Sequence, residues 1–231
     1  MIKIRVFRAI DEIDSCERYI EGHMRVLRVY GITMITSANI GWCKDPNTFV
    51  IIAESEDGTK VFGGARIQIA NEAFPLPIET AVTDMDTSIH DLVKRLSLYG
   101  TGELCGLWNS REVAGMGLGS IYLGRVGVAI STFLNLNTLF ALCAPATVKN
   151  CVRVGFQIEN RLGNNGLFYY PKEDLLATAV LLNDTKDLTT ADSYERECIL
   201  NLRENPIQRK LEQGIKQPFM LTYELNIKRE L

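Results

Sequence analysis

Apolar positions recur along this chain with two periods, about two residues and about three to four, and the periods divide it into strands and helices. Residues 3–7 (KIRVF) alternate as a short strand. Residues 11–30 carry Ile13, Cys16, Tyr19, Ile20, Met24 and Leu27 at helical spacing, and Gly31 ends the pattern. Residues 32–46 read as loop or short helix. Residues 48–53 and 60–69 read as two strands joined by a turn at Glu56, Asp57 and Gly58. Pro75 and Pro77 break the chain. Residues 86–99 are an expected amphipathic helix with Ile89, Leu92, Val93 and Leu96 on one face. An apolar strand at 102–108 then enters a glycine-rich loop at 109–119. A strongly apolar helix at 120–134, a buried strand at 138–143 and a helix at 145–154 follow. Strands are expected at 166–170, 177–182 and 219–227. The charged stretch 190–214 reads as helical, with Pro206 opening a second helix.

Two antiparallel strands precede a strand–loop–helix–strand crossover, and such a crossover makes its two strands parallel. The expected fold is therefore α/β, a mixed sheet with helices on both faces. At 231 residues the chain fits one large domain or a domain with an extension. We expect residues 1–184 to form the main domain and 185–231 a C-terminal helical and strand extension packed on it. Hydrophobic residues make up 46% and charged residues 23%, which excludes a disordered chain, a collagen and a coiled coil. A net charge of −3 argues against a dedicated nucleic-acid binder. The six cysteines include no C-x-x-C pair, and His23 and His90 lie far from any cysteine cluster, so no metal site is expected. Cys105, Cys143 and Cys151 sit in apolar surroundings and read as free thiols of a reducing compartment. The first residues lack the pattern of a secretion signal, and the apolar run 126–136 is interrupted by Ser131, Thr132 and Asn135. A cytoplasmic protein is the expectation.

The chemistry-bearing segment starts at Leu107. A strand runs into a loop with Gly115, Gly117 and Gly119, and a helix starts at Ser120. Alternate glycines let backbone amides approach a ligand, and a helix N-terminus adds unpaired N–H donors and partial positive charge. This makes an anion site. The alternative is a turn that only permits close strand–helix packing. The spacing is neither G-x-G-x-x-G nor a Walker loop.

Ala114-Gly115-Met116-Gly117-Leu118-Gly119-Ser120 resembles the coenzyme A-binding motif of the GNAT (Gcn5-related N-acetyltransferase) superfamily, with Ala114 where Gln or Arg is usual. The strand at 138–143 and the helix ending in Gly155-Phe156 are similar to the family's next elements. The resemblance implies a GNAT-like mixed sheet in which two parallel strands splay apart and take pantetheine between them, here 103–108 and 138–143. It puts the amides of Ala114, Gly115, Met116, Gly117, Leu118 and Gly119 on a pyrophosphate, and the backbone of Leu107 and Asn109 on pantetheine. Strand alternation places Glu103, Cys105, Leu107 and Asn109 on one face and Leu104, Gly106 and Trp108 on the other. Glu103 is the strand's carboxylate. Beside an apolar tunnel it would have a raised pKa and serve as the catalytic base; at the strand's start it would simply be solvated. Many family members have Tyr where Cys151 stands, able to protonate the leaving thiolate. Cys151 is then a weak acid or a small buried hydrophobe.

Gly64-Ala65-Arg66, the proline-containing linker and Glu103-Leu104-Cys105 resemble one branch of the superfamily, the autoinducer (acyl-homoserine lactone) synthases and long-chain N-acyl amino acid synthases. Gly106 stands where that branch has Arg. The resemblance implies an N-acyltransferase that moves an acyl group from coenzyme A or an acyl carrier protein to the primary amine of a small molecule. In the branch variant the acyl group is long and its tunnel is lined by residues such as Trp108 and Phe133. Arg25, Arg28 and Trp42 are candidates for the N-terminal Arg/Phe/Trp set that the resemblance implies, and Arg25, Arg28 and Arg66 either contact an acceptor carboxylate or the carrier or are ordinary surface or ion-paired arginines. A homodimer is compatible with this reading. So is a degenerate domain that binds ligand without turnover.

Overall fold

A computed structural model describes residues 2–29, 31–32, 40–110, 118–214 and 217–227. Strand β1 (Ile2–Arg8) pairs antiparallel with β2 (Thr48–Ser55), β2 with β3 (Val61–Ile69), and β3 with β4 (Thr101–Asn109). Strand β4 then runs parallel to β5 (Thr138–Cys143). Beyond β5 comes β8 (Leu176–Leu182), antiparallel, and β8 carries β6 (Gln157–Ile158) and β7 (Leu167–Tyr169). At the opposite end β10 (Pro218–Glu224) lies parallel to β1, and β9 (Ile207–Gln213) pairs with β10. Among the described residues this is one ten-stranded mixed sheet.

Helices cover both faces, which is why β2 and β3 read as nearly continuous apolar runs. Alternation sorts their side chains. Phe49, Ile51 and Ala53 join the core under α4 (Ser120–Ser131), whereas Val50 and Ile52 face α1 (Ile13–Val29). Helix α4 comes close to β4 at Gly127, where a Cβ would sit 2.7 Å from Leu104 Cδ1. Helices α5 (Pro145–Arg153) and α6 (Ser193–Glu204) lie on the α4 side. On the other face, α2 (Pro77–Val82) and α3 (Ser88–Ser97) bury Ile78, Val82, Ile89, Leu92 and Val93 against Phe140. Among the described residues, no helix is long and apolar enough to cross a membrane.

Three sequence expectations change. The proline-broken linker contains a helix, α2, with Pro77 at its first turn, where a missing N–H costs nothing. Residues 207–213 are strand β9 and not a second helix. Pro206 ends the helical segment, and pairing with β10 overrides the helix-forming Gln, Lys, Leu and Glu of this stretch. The third change is the alternation of β4, described below. Part of the charge in 190–214 is buried. Arg125 of α4 donates to Glu195 of α6 at 2.9 Å and to Glu212 of β9 at 3.1 Å. Tyr223 Oη completes the set on Glu212 at 2.8 Å.

Candidate active site

Strands β4 and β5 pair only through Thr101, Gly102 and Glu103 against Thr138, Leu139 and Phe140. Beyond that point β4 continues with β3 as far as Asn109, and β5 continues with β8 as far as Cys143. A V-shaped gap therefore opens in the middle of the sheet. The β5-facing edge of Leu104 to Asn109 has no strand partner among the described residues. This is the splay that the GNAT resemblance implies.

A bulge shapes the β4 side of the gap. Gly64 pairs with Trp108 and Arg66 with Cys105, so Gly106 and Leu107 together oppose Ala65. Gly106 has φ +59°, a left-handed conformation that glycine adopts without strain. Its carbonyl accepts a 2.5 Å hydrogen bond from Tyr19 Oη of α1. The extra residue corrects the expected alternation. Leu104 and Leu107 both face the α4 core, while Trp108 packs with Tyr19 and Trp42 on the α1 side. Trp108 and Phe133 consequently belong to opposite faces and do not line one tunnel.

Glu103 sits at the vertex of the V. It is buried, so its alternative reading as a solvated strand start does not hold. Its carboxylate accepts the Ile78 N–H of α2 at 2.7 Å. Burial pushes its pKa up to about 7, against the opposing pull of that hydrogen bond and of Arg66. Arg66 is buried as well, with its guanidinium 4.6 Å from the centroid of the Trp42 ring and a side-chain hydrogen bond to Tyr19. His23 lies one helical turn from Tyr19 and is held neutral, its pKa lowered to about 4 by burial and by Arg66. Tyr19 and His23 join Arg66 beside β4, a cluster not expected from the sequence. Their i, i+4 spacing on one helix face was legible, but it reads equally as core.

The helix-side residues are placed as follows. Leu107 is half-buried against the α4 core. With its amide oriented to satisfy both atoms, Asn109 accepts the Ser120 N–H at 3.0 Å and donates to the Trp108 carbonyl at 3.2 Å. The end of β4 is thereby tied to the start of α4. Leu118 is buried in the core, and Gly119 is the N-cap of α4. Ala114, Gly115, Met116 and Gly117 lie outside the described residues. A narrow apolar slot runs alongside, lined by Leu104, Leu107, Ile121, Thr147, Cys151 and Val154 among others. Of the candidate arginines, Arg66 stacks over the Trp42 ring and acts on Glu103 through its charge. Arg25 instead lines a cavity of about 320 Å³ with Arg18, Glu21, Lys60 and Ser110. Arg28 is exposed near the end of α1.

No protein-family model and no curated protein matches this chain. Solved structures match it in fold. The structure of FeeM, an N-acyl amino acid synthase from uncultured soil microbes, aligns with a TM-score of 0.62 over 85% of this chain and 98% of its own, at 12% identity. The acyl-homoserine lactone synthase LasI aligns with a TM-score of 0.54 over 82% and 92%, at 14% identity. This chain shares its fold with both synthases. A coenzyme A-dependent acyl-homoserine lactone synthase, MesI, aligns with a TM-score of 0.51 over 87% of this chain and 95% of its own, at 13% identity. Within this shared fold, the gap, the bulge and the buried side chains of Glu103 and Arg66 lie on β4 and the adjoining β3.

Proposed function

We propose that this protein is an N-acyltransferase that moves an acyl group from a coenzyme A or acyl-carrier-protein thioester to the primary amine of a small molecule. The observation that carries this reading is the gap between β4 and β5 with Glu103 at its vertex. A pantetheine arm is an extended chain of amides. The backbone edge of β4 beyond Glu103, without a strand partner among the described residues, offers it strand-like hydrogen bonds, and the slot beside Leu104 and Leu107 offers it apolar contact. At the far end, Gly119 and the N-terminus of α4 supply N–H donors for its phosphates, with Ala114, Gly115, Met116, Gly117 and Leu118 proposed for the same role. Leu107 and Asn109 serve through their backbone groups.

The attacking amine must be neutral, and an acid–base group poised near 7 is suited to take its proton. Glu103 has that poise, and Arg66 stabilises its ionised form. The amine attacks the thioester carbonyl carbon, the carbon–sulfur bond breaks, and the thiol leaves as the amide forms. Likeness in fold to N-acyl amino acid and acyl-homoserine lactone synthases favours the branch with a long acyl donor and an acceptor bearing a carboxyl or carbonyl group. The cavity carrying Arg25, Arg18 and Lys60 is the proposed seat for an anionic part of a substrate. The domain division at residue 184 is retained only as a description of the chain, with the extension proposed as integral to the fold.

The test is release of free thiol from acetyl-, octanoyl- and palmitoyl-coenzyme A in the presence of a panel of amino acids and their decarboxylated amines. The reading expects turnover that increases with acyl length and prefers the carboxylate-bearing acceptors. Glu103→Gln is expected to lower the rate by about 10²- to 10⁴-fold. An unchanged rate in that variant would overturn the role of Glu103. No thiol release and no binding of any donor would overturn the reading as a whole.

A further inference from the structure

Two cysteines on the open side of the gap supply no reacting group to the proposed acyl transfer. Cys143 is the last residue of β5 and is buried in the α4 core. Cys151 lies on α5, is half-buried, and forms part of the wall of the apolar slot beside Leu104 and Leu107. Their sulfur atoms are 3.2 Å apart and both thiols are free. A disulfide needs about 2.05 Å. The remaining distance lies within the reach of a side-chain rotation at the end of a strand and on a short helix.

We propose that Cys143 and Cys151 form a thiol–disulfide exchange site for small aliphatic disulfides, with Cys151 as the entering nucleophile and Cys143 as the resolving thiol. The division of roles follows from access. Cys151 is half-buried and forms part of the slot wall, whereas Cys143 is buried and lies outside that wall. The hydrogen bond between them draws the Cys151 thiol down, and it acts with burial to push Cys143 up. The thiolate is the attacking species, and the thiol on the slot wall meets the small disulfide first. Cys151 Sγ attacks one sulfur of the small disulfide, a mixed disulfide forms, and the other half leaves as a thiolate that takes up a proton. Cys143 gives its proton to solvent and attacks Cys151 Sγ, which expels the second half as a thiol. In sum, two protein thiols are oxidised to a disulfide and one small disulfide is reduced to two thiols. The slot is narrow and apolar, which suits a slim pantetheine-type disulfide better than a bulky charged one.

One consequence rests on the function proposed above. The same slot is the proposed bed of the donor's pantetheine arm, so bridging the pair, or capping Cys151, is expected to weaken acyl-coenzyme A binding at least tenfold, reversibly with dithiothreitol.

The experiment treats the full chain with coenzyme A disulfide or glutathione disulfide, alkylates remaining thiols under denaturing conditions, and reads intact mass and tryptic peptides. The pair falls on two tryptic peptides, residues 126–149 and 150–153, so the bridge is seen as their covalent union. The expected result is that union, formed faster with coenzyme A disulfide than with glutathione disulfide. Cys143→Ser is expected to stop at a mixed disulfide on Cys151, and Cys151→Ser to give neither product. The wild-type chain alone decides the matter if a variant fails to fold. The proposal is overturned if residues 143 and 151 remain alkylatable, if a bridge forms only between other cysteines, or if Cys151→Ser reacts at Cys143. Equal rates with the two disulfides would overturn the pantetheine preference. The mass readout does not depend on acyl transfer. A chain that bridges yet binds no acyl-coenzyme A refutes the donor reading, and one that binds the donor but never bridges refutes the exchange site.

Discussion

Glu103 carries opposite consequences for rate and for stability, and the two separate on the pH axis. Its pKa rises from an ordinary 4.5 to about 7 in the folded chain. Between those values the folded protein holds a proton that the unfolded chain has lost. Stability from this group is therefore full below 4.5 and is lost as pH rises to about 7. Glu103→Gln imitates the protonated form at every pH. Thermal melts of variant and parent are expected to coincide near pH 4.5, and the variant is expected to be the more stable at pH 8 by about 2–3 kcal/mol. A gap that narrows with rising pH would refute the raised pKa. Activity should move the other way, with the parent's kcat/KM rising toward a plateau above about pH 7. The sequence placed a carboxylate on this strand but did not show it buried. Its cover is α2, which begins inside a proline-broken stretch that reads as linker, and the Ile78 N–H that fixes the carboxylate belongs to that helix.

At the scale of elements, the bulge of β4 decides which side chains face the apolar slot. Strict alternation separates Leu104 from Leu107, and the inserted residue brings them together. Nothing local in Gly102 to Trp108 announces that insertion. It is set by pairing with β3 and by the Tyr19 hydroxyl on the Gly106 carbonyl, both distant in the chain. Gly106→Ala puts a Cβ into a left-handed position and against Tyr19 Oη. The expected cost is about 1–2 kcal/mol in a urea melt, with a larger loss of activity than of stability as the strand is displaced. An active, fully stable alanine variant would show that the bulge has no part in the site. Helix α3 was legible because one of its faces is buried throughout, and β2 and α4 because nearly every position of each is buried and apolar. Strand β9 was not. Its residues favour a helix in isolation, and only the partner strand β10 makes it extended.

At the scale of the molecule, the C-terminal segment is bound to the rest by charge as well as by strands. Strand β10 pairs with β1, Ile199 and Leu202 of α6 enter the main core, and Arg125 is enclosed between Glu195 and Glu212. A chain ended at residue 184 would lose Ile199, Leu202, Leu221 and Tyr223 from the main core and expose the β1 edge. Losing large buried side chains costs about 2–5 kcal/mol each, together as much as the whole stability of a typical domain. Such a truncation is expected to be insoluble or unfolded by circular dichroism. A folded, cooperative 1–184 fragment would show the extension to be an accessory.

The meeting of β4 and β5 can also be viewed as a joint. Three residue pairs, reinforced by the Thr138 hydroxyl donating to the Thr101 hydroxyl at 2.7 Å, bind two otherwise separate leaves of sheet. One leaf is β9, β10, β1, β2, β3 and β4; the other is β5, β8, β6 and β7. A small rotation about that spine widens or narrows the opening between the leaves without unpairing a single strand. The calibre of what is admitted is then governed by the helices that rest on both leaves.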